Sequence, residues 1–439
     1  MDRETKVKDK KKKKNETNLP EGWKRVRLRE VIEIFDNQRI PLDSEYRSTI
    51  KGYIPYCGAT GVIDYINDYI FDGEYVLIAE DGGKFNRFEE TAYIMMGKFW
   101  ANNHVHIVRG KDGTLDDSFL MYSVNYQDIS YYISGSTREK LNQQLLKSVV
   151  IILPPLPEQR KIAEILETVD NAIEKTDAII EKYKRIKQGL MQDLLTRGIA
   201  ESDELGVRSY ELRDEKKHRF KDSPLGRIPE EWKVVELGEV ADVRGGKRLP
   251  KGEDFAASQT LFPYIRLVDI KGMNINLSAV KYIQEKTWKR IRRYTISKDD
   301  IMLSIAGTIG LVALIPEALD GANLTENAAK LTTLRYFDKR FLAYYLTFHK
   351  AQRQIETLMG IVAQPKLALF RIKQLKIPLP PLPEQHRIAS VLSQIDEAIE
   401  KEQKYKEKLE RIKRGLMEDL LTGKVRVLGV MNYELGVKS

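Results

Sequence analysis

Two segments of the chain share one hydrophobic rhythm. Apolar residues recur at helical spacing as Ile162, Leu166, Val169, Ile173, Ile180, Tyr183, Leu190 and Leu194, beside a second column of Ile165, Ala172, Ile179 and Ile186. The pattern returns as Ile388, Leu392, Ile395, Ile399, Leu409, Leu416 and Leu420, beside Val391, Ala398, Tyr405 and Ile412. A broad apolar stripe at heptad-like period predicts a helix packed along its length. Pro157 and Pro383 suit a first helical turn, where a missing N–H costs nothing. Gly198 and Gly423 stand just past the far ends, where a C-cap glycine belongs. Each predicted helix has about 40 residues, or ~60 Å at 1.5 Å per residue. Neither buries its stripe alone, so the two are expected to pack antiparallel on each other, more loosely at the charged stretch Glu400 to Lys408.

The two segments are copies. Leu153 to Gln159 and Leu379 to Gln385 both read Leu-Pro-Pro-Leu-Pro-Glu-Gln, and the match continues through Ile162-Ala163 and Ile388-Ala389, Asp170 and Asp396, Ala172 to Lys175 and Ala398 to Lys401, Gly189 to Met191 and Gly415 to Met417, and Asp193 to Thr196 and Asp419 to Thr422. Leu19-Pro-Glu-Gly-Trp-Lys24 echoes Ile228-Pro-Glu-Glu-Trp-Lys233, and Glu204 to Val207 echoes Glu434 to Val437. Between these markers the halves diverge almost completely. A chain duplicated in this way can fold with an internal pseudo-two-fold axis, as a homodimer would.

The divergent blocks read as mixed α+β. Strand-like runs are Glu74 to Ala79, Val105 to Val108, Leu146 to Leu153, Phe262 to Arg266, Asp300 to Ser304 and Ala329 to Leu334; helical stretches are Ser118 to Val124 and Arg340 to Leu358. The predicted fold class is α+β: two globular mixed domains separated by two long antiparallel helices forming a coiled coil. The boundaries are a basic tail at 1–18, a first domain at 19–155, a helix at 156–198, a linker at 199–223, a second domain at 224–381, a helix at 382–424 and a C-terminal tail at 425–439.

Charge and chemistry narrow the function. The net charge is +9, part of it in a tail carrying Lys6, Lys8 and Lys10 to Lys14, and a mildly basic body suits a polyanion. Polar, glycine-containing loops supply side chains whose donors and acceptors match base edges, with glycines that let backbone N–H groups approach phosphate. The candidates for DNA contact are Lys84, Asn86, Arg87, Asn102, Asn103, Thr137, Arg138 and Lys140 in the first domain. In the second they are Lys247, Arg248, Thr308, Asn323, Thr325, Asn327, Gln364 and Lys366. On the helices, Leu190, Leu194, Leu416 and Leu420 are candidates for helix pairing or subunit docking. No catalytic constellation is visible. One cysteine, Cys57, excludes a disulfide framework and reads as a small buried residue of a reducing cytosol. There is no Gly-x-x-x-x-Gly-Lys-Ser/Thr loop, and the only Pro-Pro pairs stand at helix entrances. His104 and His106 imply no third metal ligand and are explained by alternate strand positions. The N-terminus carries no apolar stretch of the signal-peptide kind, and no apolar run reaches membrane-span length.

The alternation of divergent block and Pro-Glu-Gln-x-x-Ile-Ala helix, at Pro157 to Ala163 and Pro383 to Ala389, resembles the specificity subunits of type I restriction-modification enzymes over nearly the whole chain. That resemblance implies two target recognition domains, each reading half of a split, asymmetric double-stranded DNA site, on a spacer of two helices. It implies a chain without an active site, acting in the cytoplasm with methyltransferase and restriction subunits. S-adenosylmethionine, ATP and Mg²⁺ would be used by those partners, with no cofactor or metal bound by this chain. Other readings compete: a nuclease or methyltransferase with an unfamiliar site, a coiled-coil scaffold whose blocks bind something other than DNA, and the specificity subunit of a related fused methylase-nuclease system.

Overall fold

The computed structural model describes residues 19–133, 140–204, 207–334, 336–359 and 366–427. The chain divides into two compact units: residues 1–178 with 403–439 form unit 1, and 179–402 form unit 2. The lysine tail and the end of the C-terminal tail lie outside the described residues.

Unit 1 carries strands β1 (Lys24–Arg27), β2 (Ile32–Ile34), β3 (Lys51–Gly58), β4 (Gly61–Ile66), β5 (Phe71–Asp72), β6 (Tyr75–Ala79), β7 (Ala92–Met95), β8 (Lys98–Ala101), β9 (Val105–Gly110) and β10 (Val150–Leu153). One sheet has the order β2-β9-β6-β7, a second the order β4-β3-β8-β5, and β1 pairs with β10. The apolar run of β6 lies between β9 and β7 with Val76, Leu77 and Ile78 fully buried. Helix α1 (Asp117–Tyr126) packs on β6 and β7, its N-terminus capped by the Asp116 carboxylate, which accepts from the Phe119 N–H at 3.0 Å. The first of the two long helices begins after β10: α2 (Leu156–Leu194).

In unit 2 the corresponding strands are β11 (Lys233–Glu236), β12 (Ala241–Gly245), β13 (Pro263–Ile265), β14 (Lys281–Tyr282), β15 (Thr295–Ile296), β16 (Asp300–Ser304), β17 (Val312–Leu314), β18 (Ala322–Leu324), β19 (Ala328–Thr333) and β20 (Lys376–Leu379). Their sheets run β12-β19-β16-β17 and β14-β13-β18-β15, with β11 on β20. Strand for strand this is the topology of unit 1, including the parallel pair β3–β8, which returns as β13–β18. Two blocks that share almost no residues thus share one fold, because each keeps apolar residues at central strand positions and turns between them. Helix α3 (Lys339–Thr347) takes the place of α1, and α4 (Leu382–Leu420) follows β20.

The mixed α/β class and the packing of two long helices hold as expected. Within unit 1, Asp170 pairs with Lys413 and Asp177 with Lys406, both at 2.6 Å, so an advance along α2 is matched by a retreat along α4. The helices are antiparallel there, and the charged middle of α4 makes an ion pair where an apolar seam would otherwise run. Within unit 2, Lys187 and Asp396 meet at 2.6 Å. These are the repeat equivalents of Lys413 and Asp170.

The repeated Pro-Glu-Gln entry has a physical role in each unit. In unit 1, buried Glu158 accepts from the Trp23 indole at 2.9 Å and from Arg426 at 2.7 and 2.9 Å. In unit 2, Glu384 accepts from the Trp232 indole at 3.1 Å and from both Nη atoms of Arg213, while also taking the Ile199 N–H at 2.9 Å. Each carboxylate therefore locks the start of one long helix to the chain leaving the other. Gly198 and Gly423 have φ of +64° and +75°, and a Cβ on Gly198 would sit 2.4 Å from the Trp232 ring. Only glycine serves there, for its left-handed backbone and for the close approach. The buried glutamines tie each helix to its domain: Gln159 accepts from the Asp116 N–H at 3.0 Å and donates to Pro154 O at 2.8 Å. Gln385 does the same with Asp338 at 2.9 Å and Pro380 at 2.8 Å.

Local expectations met corrections. The stretch from Leu146 is strand only from Val150, because Asn142 caps a short helix, Gln143–Ser148. The helical stretch 340–358 breaks at Phe348 into Lys339–Thr347 and His349–Met359. The linker opens with an antiparallel ribbon, Ile199–Glu204 on Val207–Leu212, which returns the chain to place Arg213 on Glu384. The C-terminal tail begins inside the fold, with Val427 in the unit 1 core and Arg426 on Glu158.

Candidate nucleic-acid interface

In unit 2 the loops leaving β12, β16 and β18 converge with residues 366–369. The convergence is built from backbone hydrogen bonds: Gly246 N–H to Ala328 O at 3.0 Å, Lys247 N–H to Leu324 O at 2.8 Å, Ile305 N–H to Asn327 O at 2.7 Å and Leu367 N–H to Ile305 O at 2.8 Å. A Cβ at Gly246 would fall 2.1 Å from Thr325 O, so the second glycine of Arg244-Gly-Gly-Lys-Arg248 is what lets these strands close up. The loop Ala306 to Gly310 is clamped by Ser304, whose hydroxyl donates to Thr308 O at 2.6 Å and accepts from the Leu311 N–H at 2.8 Å.

These loops line two adjoining concavities of about 570 and 500 Å³ that share Arg248 and Glu326. Arg248, Thr308, Thr325 and Asn327 border the first, and Lys247, Arg248 and Lys366 the second. Six candidates scattered over 120 residues of sequence are thereby brought together. Asn323 is a different matter. It is buried, and its amide donates to Ile291 O at 2.9 Å and Tyr294 O at 3.3 Å, so it fastens the core and presents nothing to a ligand. Gln364 lies outside the described residues. Glu326, which no sequence signal singled out, stands at the centre: it accepts from Arg248 Nε at 2.6 Å and from the Thr325 hydroxyl at 3.1 Å. Burial alone would raise its carboxyl, but those two bonds hold it below the usual value, and the pair correspondingly raises Arg248.

The same ground in unit 1 is arranged differently. Arg39, after β2, has 14 % of its side chain exposed, where Arg248, after β12, has 78 %. Its Nη1 donates to Glu80 and to Val105 O, both at 2.7 Å, and its Nε to Asp36 O at 3.1 Å. Asp36 also meets His106 Nδ1 at 2.6 Å and takes the Ile107 N–H at 3.0 Å. Burial raises the Asp36 and Glu80 carboxyls, yet the surrounding cations hold both below their ordinary values. His106 is a buried strand residue of this network, whereas His104 lies in the turn before β9 and not at the expected alternate strand position, because Asn102 accepts its N–H there.

The remaining unit 1 candidates divide. Lys84, Asn86, Asn103 and Lys140 are exposed, with Asn86 bonded to Glu89 at 2.9 and 3.0 Å and Lys140 to Glu80 at 3.0 Å. Arg87 is exposed but engaged: it stacks on Phe88 and Tyr126 and bonds Glu418 of α4, fastening its loop to the helix. Asn102 is buried and forms a turn, its side chain accepting from the His104 N–H at 2.8 Å. Thr137 and Arg138 lie outside the described residues.

The helix candidates also separate. Leu194 and Leu420 are 5 % and 2 % exposed inside the apolar cores of units 2 and 1, and Leu190 and Leu416 pack against the same clusters. Leu194 and Leu420 thus hold the fold from inside it, while Leu190 and Leu416 are half-buried at the edges of those cores. The second column divides: Ile165 and Val391 pack against the cores, whereas Ile179, Ile186, Tyr405 and Ile412 are between 38 % and 50 % exposed. Among the described residues no helix is long and apolar enough to cross a membrane, and no group of three His, Cys, Asp or Glu could hold a metal ion.

Two stretches of the chain, residues 20–184 and 229–411, match the model of the type I restriction modification DNA specificity domain. The chain is 27 % identical over 429 residues to the type I restriction enzyme MjaVIII specificity subunit of Methanocaldococcus jannaschii, covering 93 % of this chain and 94 % of that one. It is 31 % identical over 372 residues to a putative type I restriction enzyme specificity subunit, S.HindORF215P, of Haemophilus influenzae, covering 84 % and 86 %. Its fold is similar to that of the type I restriction-modification S subunit from M. genitalium, with a TM-score of 0.61 at 16 % identity over 92 % of this chain and 97 % of that one.

Proposed function

The chain belongs to the type I restriction-modification DNA specificity family, as a specificity subunit, and on that premise we propose that each unit reads one half of a split double-stranded DNA target. The observation that carries this reading is the double match of the specificity domain to two units of one topology whose loop surfaces differ. A shared topology presents two surfaces to DNA in equivalent ways, and unlike linings give unlike half-sites. In unit 2 the lysines Lys247 and Lys366 supply the phosphate attraction that gives position and affinity, and contacts to base edges give discrimination.

The chain itself contributes recognition and assembly. Methylation and cleavage belong to methyltransferase and restriction subunits, which bring S-adenosylmethionine, ATP and Mg²⁺. Exposed apolar residues on the long helices, Ile179 and Ile186 in unit 2 and Tyr405 and Ile412 in unit 1, support the docking of such subunits on each unit. Binding of the assembled complex to target and to scrambled duplex at two salt concentrations tests the function. The target is expected to bind 10³-fold or more tighter, with both affinities falling as salt rises. Equal affinity for the two duplexes would contradict the reading.

A further inference from the structure

In the shared wall of the two unit 2 concavities three side chains form a chain. The Thr325 hydroxyl donates to Glu326 Oε2 at 3.1 Å, and Glu326 Oε1 accepts from Arg248 Nε at 2.6 Å. Thr325 is buried and Glu326 largely so, whereas Arg248 is exposed at the rim. The loop that carries Arg248 is itself fixed, with the Lys247 N–H on Leu324 O at 2.8 Å and Lys247 O accepting from the Tyr264 hydroxyl at 2.7 Å. A carboxylate on Nε sets the plane of a guanidinium. It leaves the far edge, Nη1 and Nη2, with no acceptor among the described residues. That edge presents two parallel N–H donors, the complement of guanine O6 and N7 in the major groove.

We propose that Arg248, oriented by Glu326, reads a guanine in the half-site recognised by unit 2. The proposal rests on unit 2 being a DNA reader. Glu326 and Thr325 are positioning residues: neither touches the base, and both restrict the guanidinium to one plane. A free arginine would contact phosphate or base indifferently, whereas a held one has its ordering entropy settled before binding. The loop after β2 in unit 1 does not repeat this device, since Arg39 has its Nε, Nη1 and Nη2 all directed at protein oxygens and is packed beneath the surface.

The test is selection from a randomised duplex library by the chain assembled with its methyltransferase subunits, for the unaltered protein and for R248A, R248K and E326Q. The unaltered complex is expected to select guanine at a position of one half-site. R248A should reduce that preference about 10- to 100-fold at that position alone. R248K should lose it to a similar extent, because an ammonium cannot make the paired contact, while retaining most of the affinity. E326Q should weaken the same preference by a smaller factor, which a phosphate-only role for Arg248 would not produce. Arg248 is at the surface and E326Q keeps the size of the largely buried Glu326, so the melting curve of each variant separates misfolding from misreading. A uniform loss of affinity across all sequences in R248A, with the salt slope reduced by about one ion, would make Arg248 a phosphate contact and overturn the proposal. So would an unchanged selection profile. An unaltered complex with no sequence preference would fail at the level of the function, a result that does not depend on Arg248.

Discussion

Units 1 and 2 share a strand order and differ in what they do with charge. Where unit 2 leaves Arg248 exposed on Glu326, unit 1 closes Arg39, Asp36, Glu80 and His106 into a buried network. The structural joints are the reverse case. Glu158 and Glu384, Gln159 and Gln385, Trp23 and Trp232 make matching bonds in their own units. Residues that hold the frame are thus kept in duplicate, and residues that line the loops are free to diverge. The proposed pair of unlike readers on one frame requires this division.

The frame is where substitution should cost most. E384A removes a carboxylate from a pair in which Arg213 and Glu384 are both buried, leaving the indole unpaired and the guanidinium with exposed Glu231 as its remaining ionic partner. The expected loss is about 3–5 kcal/mol in denaturant unfolding of unit 2. E158A should cost less, because Arg426 is partly exposed and can turn toward water. Equal losses would mean that burial of the arginine does not distinguish the two joints.

The next effect separates core from surface on the helices. Leu194→Ala and Leu420→Ala each open a core and should cost about 2–5 kcal/mol. Ile186→Asp with Ile412→Asp changes exposed positions, so stability should move by about 0.5 kcal/mol or less. Co-purification of methyltransferase subunits should nevertheless fall sharply in that double variant. Full co-purification would remove these exposed positions from the docking surface.

A smaller contrast is electrostatic. Burial pushes Asp117 of α1 up to about 6, against the bond from the Gly110 N–H, with Glu74 and Asp116 adding to the rise. Unit 2 has Lys339 at the matching place, bonded to Lys298 O at 2.6 Å. A carboxyl whose value is raised on folding stabilises fully below its unfolded value near 3.8, and that contribution is lost as pH rises through about 6. Asp117→Asn should therefore flatten the unit 1 stability curve across that window and add about 1 kcal/mol at pH 7, after allowance for solvent screening. An unchanged slope in pH-dependent melting would contradict this.

The sequence made the frame legible because a frame is periodic and repeated. Helical spacing, the two Pro-Glu-Gln entries and the glycines beyond the ends all reappear as contacts. It showed the loop surfaces only by composition. Asn102 and Asn323 sit in polar loops like the others, yet one shapes a turn and the other bonds core carbonyls, a distinction made by neighbours distant in sequence. Arg39 and Glu80 escaped notice for the same reason, since their meeting depends on the sheet. Arg87 and Arg248 look alike in sequence, but one is anchored to Glu418 and the other faces a concavity. The common topology of the divergent blocks was hidden because apolar positions were kept while residue identities were not.

The central claim is that one frame carries two independent readers. It is tested most directly by replacing residues 233–379 with residues 24–153, so that β1 to β10 stand in both places between the same tryptophan and proline joints. The methylation sites of the resulting complex, mapped by sequencing, should show two inverted copies of the unit 1 half-site and no trace of the unit 2 half-site. A folded, active complex that still methylates the original asymmetric target would contradict the account.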